Sequence, residues 1–132
     1  MKNCLFLLIL SLSALSYSQS SEKISALDFV QILNDNKEET LFYYHNNWKV
    51  LREKALENNY IHAYELLETE ATEDAPFQLI LKTTYLNKEQ FDQSEENFQK
   101  LIDEKGETRF LNEKRPPQFR KLLFHKNLKH LE

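Results

Sequence analysis

One glycine and one cysteine among 132 residues, with three prolines and one methionine, limit what this chain can build. A single glycine cannot form the glycine-rich turn that cradles a phosphate, so nucleotide binding by that device is excluded. Beyond the N-terminal run Cys4 to Leu15 there is no apolar stretch near the roughly 20 residues a membrane helix needs. That run follows Met1-Lys2-Asn3 and precedes Ser16-Tyr17-Ser18, which places small residues at −3 and −1 before Gln19. The pattern is that of a secretory signal peptide over residues 1–18, so the protein is expected to be exported, periplasmic or secreted. Cleavage after Ser18 leaves residues 19–132 with no cysteine, which removes disulfides, thiol catalysis and thiolate metal sites from the mature protein.

What remains is rich enough to fold. The chain is 41% apolar and 12% aromatic, above the composition of a disordered protein, whose few hydrophobes cannot offset the entropy of ordering. Residues 19–132 are therefore expected to form a single domain with a basic C-terminal segment, 105–132. Charge is divided along it: residues 19–104 hold 8 bases and 18 acids, whereas 105–132 hold 8 bases and 3 acids. The acidic body repels nucleic acid and anionic lipid, and the basic segment is expected to pack against it.

Residues 24–33 carry branched and aromatic side chains and end at the turn cluster Asn34-Asp35-Asn36, which predicts a strand. Asn36 with Glu39 is a capping-box pattern, and Leu41, Tyr44, Trp48, Leu51 and Ala55 recur at helical spacing, so a helix is expected over about 37–57. Lys49, Arg52, Glu53 and Lys54 fall on its other faces, and Asn58-Asn59 is a stop signal. Tyr60–Thr69 and Phe77–Tyr85 are read as two strands of a hairpin, joined by an acidic connector ending at Pro76. Asn87 with Gln90 repeats the capping pattern ahead of Phe91, Phe98, Leu101 and Ile102, and Gly106 follows as a helix stop. Beyond it, Arg109-Phe110-Leu111 suggests a short strand, Pro116-Pro117 a break, and Phe119–Phe124 either an edge strand or a helical turn.

This order predicts an α+β fold, a split βαβ arrangement with two helices on one face of an antiparallel sheet. Asn47-Trp48-Lys49-Val50-Leu51-Arg52, Asn59-Tyr60-Ile61-His62-Ala63-Tyr64 and Phe77–Tyr85 together resemble the helix, turn, strand and hairpin of the ferredoxin-like dimeric α/β-barrel superfamily, over about residues 24–103. The resemblance implies a homodimer formed sheet to sheet around a ligand cleft, and brings no catalytic signature. An all-α alternative comes from Leu81, Tyr85, Phe91, Ser94, Phe98 and Leu101, which resemble one tetratricopeptide helical hairpin, with Tyr60-x-x-Ala63-x-x-x-Leu67 echoing Phe91-x-x-Ser94-x-x-x-Phe98 at an offset of 31 rather than about 34 residues. It would make the protein a helical interaction module.

Chemistry-bearing residues are sparse. Of the serines after residue 18, Ser20 and Ser21 lie near the expected new terminus and Ser94 lies in a polar helical pattern, so a Ser/His/Asp arrangement has little support. His45, His62, His125 and His130 lack the paired spacing of a metal-binding helix, and a solvated basic tail accounts for the last two. Neither a metal nor a cofactor is expected. Trp48, His62, Tyr64 and Tyr85 form the one candidate ligand-binding set. His62 and Tyr64 are expected on the sheet face away from the helices, where they would line a cleft for a small apolar or aromatic ligand. The favoured reading of these residues makes the tyrosines interface anchors and His62 a satisfied polar neighbour, and the enzyme alternative makes His62 and Tyr64 the proton-transfer groups of a cofactor-free enzyme. A non-catalytic dimerising or ligand-binding module is the favoured reading.

Overall fold

Branched and aromatic side chains fill Ile24–Ile32, and in the computed structural model, which describes residues 22–132, this segment is strand β1. The expected signal peptide lies outside the described residues. Asn34 and Asp35 then turn the chain with positive φ, a conformation that short polar side chains tolerate better than most. Helix α1 (Lys37–Tyr43) follows, widens into a π turn at Tyr44–Trp48, and continues as α2 (Lys49–Glu57). Asn59, at φ 58°, ends α2 as anticipated, and the Tyr60 amide donates back to the Ala55 carbonyl. Strands β2 (Ala63–Glu68) and β3 (Leu79–Tyr85) form the hairpin around the acidic connector. Helices α3 (Lys88–Asp92) and α4 (Ser94–Lys105) stop at Gly106, a short α5 (Pro116–Phe119) follows, and β4 (Arg120–Lys129) completes the sheet.

The sheet order is β2-β3-β1-β4, every neighbouring pair antiparallel. With helices between β1 and β2 and between β3 and β4, this is two interleaved split βαβ units, the ferredoxin-like topology, and the helical-hairpin alternative does not hold. Tyr60 to Leu67 and Leu81 to Tyr85, which that alternative made helical, lie outside helices, the second stretch wholly within β3. The strands differ from expectation mainly at their ends. Ile61 is buried among Ala55, Tyr85 and Leu101 under the helices, so the chain crosses that core before it pairs, and β2 starts at Ala63 rather than Tyr60. Arg109 to Leu111 forms no strand.

Paired residues share a sheet face, so the register assigns both faces. Toward the helices point Ala26, Asp28 and Val30 of β1, with Leu79, Leu81, Thr83 and Tyr85 of β3. Val30, Leu79 and Leu81 are at most 3% exposed and form one core with Tyr44, while Ala55, Ile61, Tyr85 and Leu101 form a second. Each such aliphatic side chain contributes about 2 kcal/mol. The other face carries the row Leu67, Ile80, Phe29, Phe124 across all four strands, and no helix among the described residues covers it.

The C-terminal segment is fastened through buried polar groups. Thr40, fully buried, donates its hydroxyl hydrogen toward the Asn36 and Phe119 carbonyls, and the Leu33 amide also donates to Phe119. Asn36 does not cap α1 with its side chain. Its amide donates to the Gln118 carbonyl and its oxygen accepts from Lys114, while Glu39 pairs with Lys114. The expected capping-box residues therefore tie the C-terminal segment to α1. Asn87 caps α3 as expected, accepting from the Gln90 amide.

Candidate functional site

Between the helices and the β1–β4 half of the sheet lies a cleft of about 350 Å³. Its position follows from the wide turn Tyr44–Trp48. The side-chain amides of Asn46 and Asn47 donate to the Phe42 and Tyr43 carbonyls, giving the backbone partners other than its own helical amides. π turns recur where a helix presents functional side chains, and here three of the five residues, Tyr44, Asn47 and Trp48, line the cleft. Tyr43 and Leu51 extend that wall. Leu81 and Asp28 form the floor, and Ile102 and Leu122, 46% and 49% exposed, are apolar side chains open to water at its edge.

Two charged groups enter this mainly apolar space. Asp28, the only charged residue of β1, accepts a 2.6 Å hydrogen bond from His125 Nδ1, the residue opposite it on β4. His125 Nε2 lies 2.7 Å from Asn127 Oδ1, so both ring nitrogens face oxygens, an arrangement that suits the imidazolium. The bond to Asp28 accordingly raises the His125 pKa. Arg120, at the start of β4, lies with its guanidinium 5.6 Å from the centre of the Tyr43 ring, and its Nε is buried without a hydrogen-bond partner. Tyr44 is 7% exposed, and burial pushes its hydroxyl pKa well up, keeping it a neutral donor.

Asn47 fastens the far wall. Its amide donates to the Arg109 carbonyl, and its oxygen accepts from the Arg109 amide and from Lys105 Nζ, each at 2.8 Å. Arg52, expected on an outward face of its helix, is instead folded between aromatic rings, 4.9 Å from Trp48 and 4.2 Å from Phe98, with Nε donating to Thr83 Oγ1. Burial brings its pKa down to about 10, which leaves it cationic at neutral pH. A guanidinium can sit there because its planar faces stack on rings while its edge donates.

Of the four residues singled out in the sequence, Trp48 lines the cleft. Tyr64 touches Trp48 from the other side, edge to face at 5.7 Å, and its hydroxyl donates to Glu53 at 3.4 Å. Tyr85 is buried against Phe91 in the second core. Both tyrosines thus lie on the helix-covered face, not on the uncovered face the hairpin reading gave them, because the Tyr64–Thr83 pair points toward the helices. His62 is exposed at the entry to β2, and neither it nor Tyr64 lines the cleft. His125 and His130 are not a solvated tail: His130 Nε2 lies 2.7 Å from the buried Ser25 hydroxyl, which also bonds Thr84. The sequence reading missed Asp28 and Arg120. Asp28 had a signal, a lone carboxylate inside an apolar strand; Arg120 had none, since the secondary structure of its segment was ambiguous.

No protein-family model matches the chain, and no curated protein matches it. Among the described residues no helix is long and apolar enough to cross a membrane.

Proposed function

We propose that this protein is a non-catalytic binding module, exported from the cytoplasm, that takes a small apolar or aromatic molecule between its helices and its sheet. The observation that carries the reading is the cleft itself. A space of about 350 Å³ is the size of a small-molecule site, and aromatic walls with a few polar groups are the usual lining of one. Trp48 is the only tryptophan of the chain, so its fluorescence reports on this wall alone. Titration with cyclohexylethanol, which neither absorbs nor emits where tryptophan does, should give a saturable change in Trp48 emission. Leu122→Phe, at a half-exposed position on the rim, should weaken it several-fold while leaving the circular dichroism unchanged. Emission that never saturates, or saturates equally in the variant, would count against the cleft. Export is supported by residues 1–18, and mass spectrometry of the protein from its native cells should find Gln19 as the first residue.

A second property is favoured by the uncovered sheet face: association with a second copy of the chain. The apolar row Leu67, Ile80, Phe29, Phe124 is backed by the Phe29, Phe77 and Phe124 rings, and the adjacent row runs Glu65, Lys82, Leu27, Lys126. That second row is acidic at one edge and basic at the other. A two-fold axis parallel to the strands would therefore set Glu65 of one copy near Lys126 of the other and bring the apolar rows together. Sedimentation at rising concentration should show a monomer–dimer equilibrium that Phe124→Glu shifts to monomer; a wild-type monomer throughout would refute it.

A further inference from the structure

Resting on the cleft reading above, we propose that the ligand is a small aromatic or apolar carboxylate whose anionic group is held by Arg120.

The argument begins with what Arg120 lacks. Its Nε–H is buried and unpartnered, and no carboxylate among the described residues lies within ion-pair distance of it. Arg120 lines the cleft, so a guanidinium with no carboxylate partner among the described residues stands at the wall of a space that can admit one. The one acid on the cleft wall, Asp28, is already met by His125. Arg120 is therefore the charged residue of the cleft wall that has no opposite charge beside it among the described residues.

Two neighbours suit the same ligand group. The Tyr43 ring lies beside the guanidinium, where it restrains the planar fork that pairs with a carboxylate. Tyr44, 7% exposed, lines the same space, and its hydroxyl takes part in no side-chain hydrogen bond among the described residues, so it has a donor to give. Trp48, Leu51 and Leu81 then receive the apolar part. A neutral ligand's oxygen could accept from Arg120 but would bring no charge to balance it, and an ammonium would meet the guanidinium's repulsion.

Three isosteric probes separate these outcomes by calorimetry: naphthylacetate, naphthylethanol and naphthylethylamine, each with the wild-type protein and with Arg120→Gln. Naphthylacetate should bind at least about tenfold more tightly than the alcohol, the usual effect of a charge-assisted hydrogen bond in a partly enclosed site. Arg120→Gln should abolish that preference while still binding the alcohol, which also shows that the variant keeps its fold and cleft. Tyr44→Phe should reduce the preference partly. Equal binding of acid and alcohol, a preference for the amine, or a preference that survives Arg120→Gln would overturn the carboxylate assignment and leave the cleft standing. Binding of none of the three to the wild-type protein would overturn both.

Discussion

Asp28 and His125 face each other on neighbouring strands, and their pairing sets a pH dependence. The folded state raises the His125 pKa above its ordinary value near 6.5. The stabilisation is therefore fully present below that ordinary value and is lost as pH rises through the raised one. In urea unfolding at a series of pH values, His125→Gln should destabilise most near and just below pH ~6.5, with the gap closing toward alkaline pH. A gap that widens with pH would contradict the pairing. Arg52 makes a different prediction. Replacing its stacked guanidinium with Lys keeps the charge and loses both ring faces, so Arg52→Lys should cost about 1–2 kcal/mol in the same measurement. Arg52 was misread in the sequence because helical periodicity treats every charged side chain as solvent-seeking. A guanidinium between Trp48 and Phe98 escapes that rule, as does a carboxylate met by an imidazolium 97 positions away.

Elements whose apolar pattern belongs to one face were legible. The turn at Asn34-Asp35, the helical stripe from Leu41 to Ala55, the stop at Asn59 and the strand ending at Tyr85 all follow from local periodicity and turn chemistry. β4 was not legible. It is an edge strand, mostly exposed, with Lys121, Lys126 and Lys129 along it, a composition that protects an open edge and erases the alternation a reader looks for. Its register also shifts between Phe29 and Val30, so Leu122 and Phe124 face opposite sides despite sharing parity. The π turn was equally hidden, because the inward spacing of Tyr44, Trp48 and Leu51 also suits an ordinary helix. Asn47 joins that turn to the loop after α4. Asn47→Ala should destabilise by about 2 kcal/mol, as a nearly buried amide with several partners would. It should also speed hydrogen exchange at the Arg109 amide far more than within β3. Unchanged exchange there would mean that the loop is held by something else.

At the scale of the molecule, the sheet separates two surfaces of different character. The cleft opens on the helical side, and the apolar row Leu67, Ile80, Phe29, Phe124 lies on the other. If copies associate through that row, the cleft stays open, so ligand affinity should not change with protein concentration across the monomer–dimer transition. The fold class was legible from the order of the elements, whereas the cleft was not, because it is formed by residues as distant in sequence as Asp28, Tyr44, Ile102 and Arg120. Of the four residues chosen from sequence, only Trp48 lines it, since aromatic content alone does not tell a core tyrosine such as Tyr85 from one open to a ligand. The most direct measurement is a crystal structure of the protein grown with naphthylacetate. The rings should lie between Trp48 and Leu81 with the carboxylate on Arg120; a ligand found instead on the outer sheet face against Phe29 and Phe124, with the cleft empty, would contradict the account.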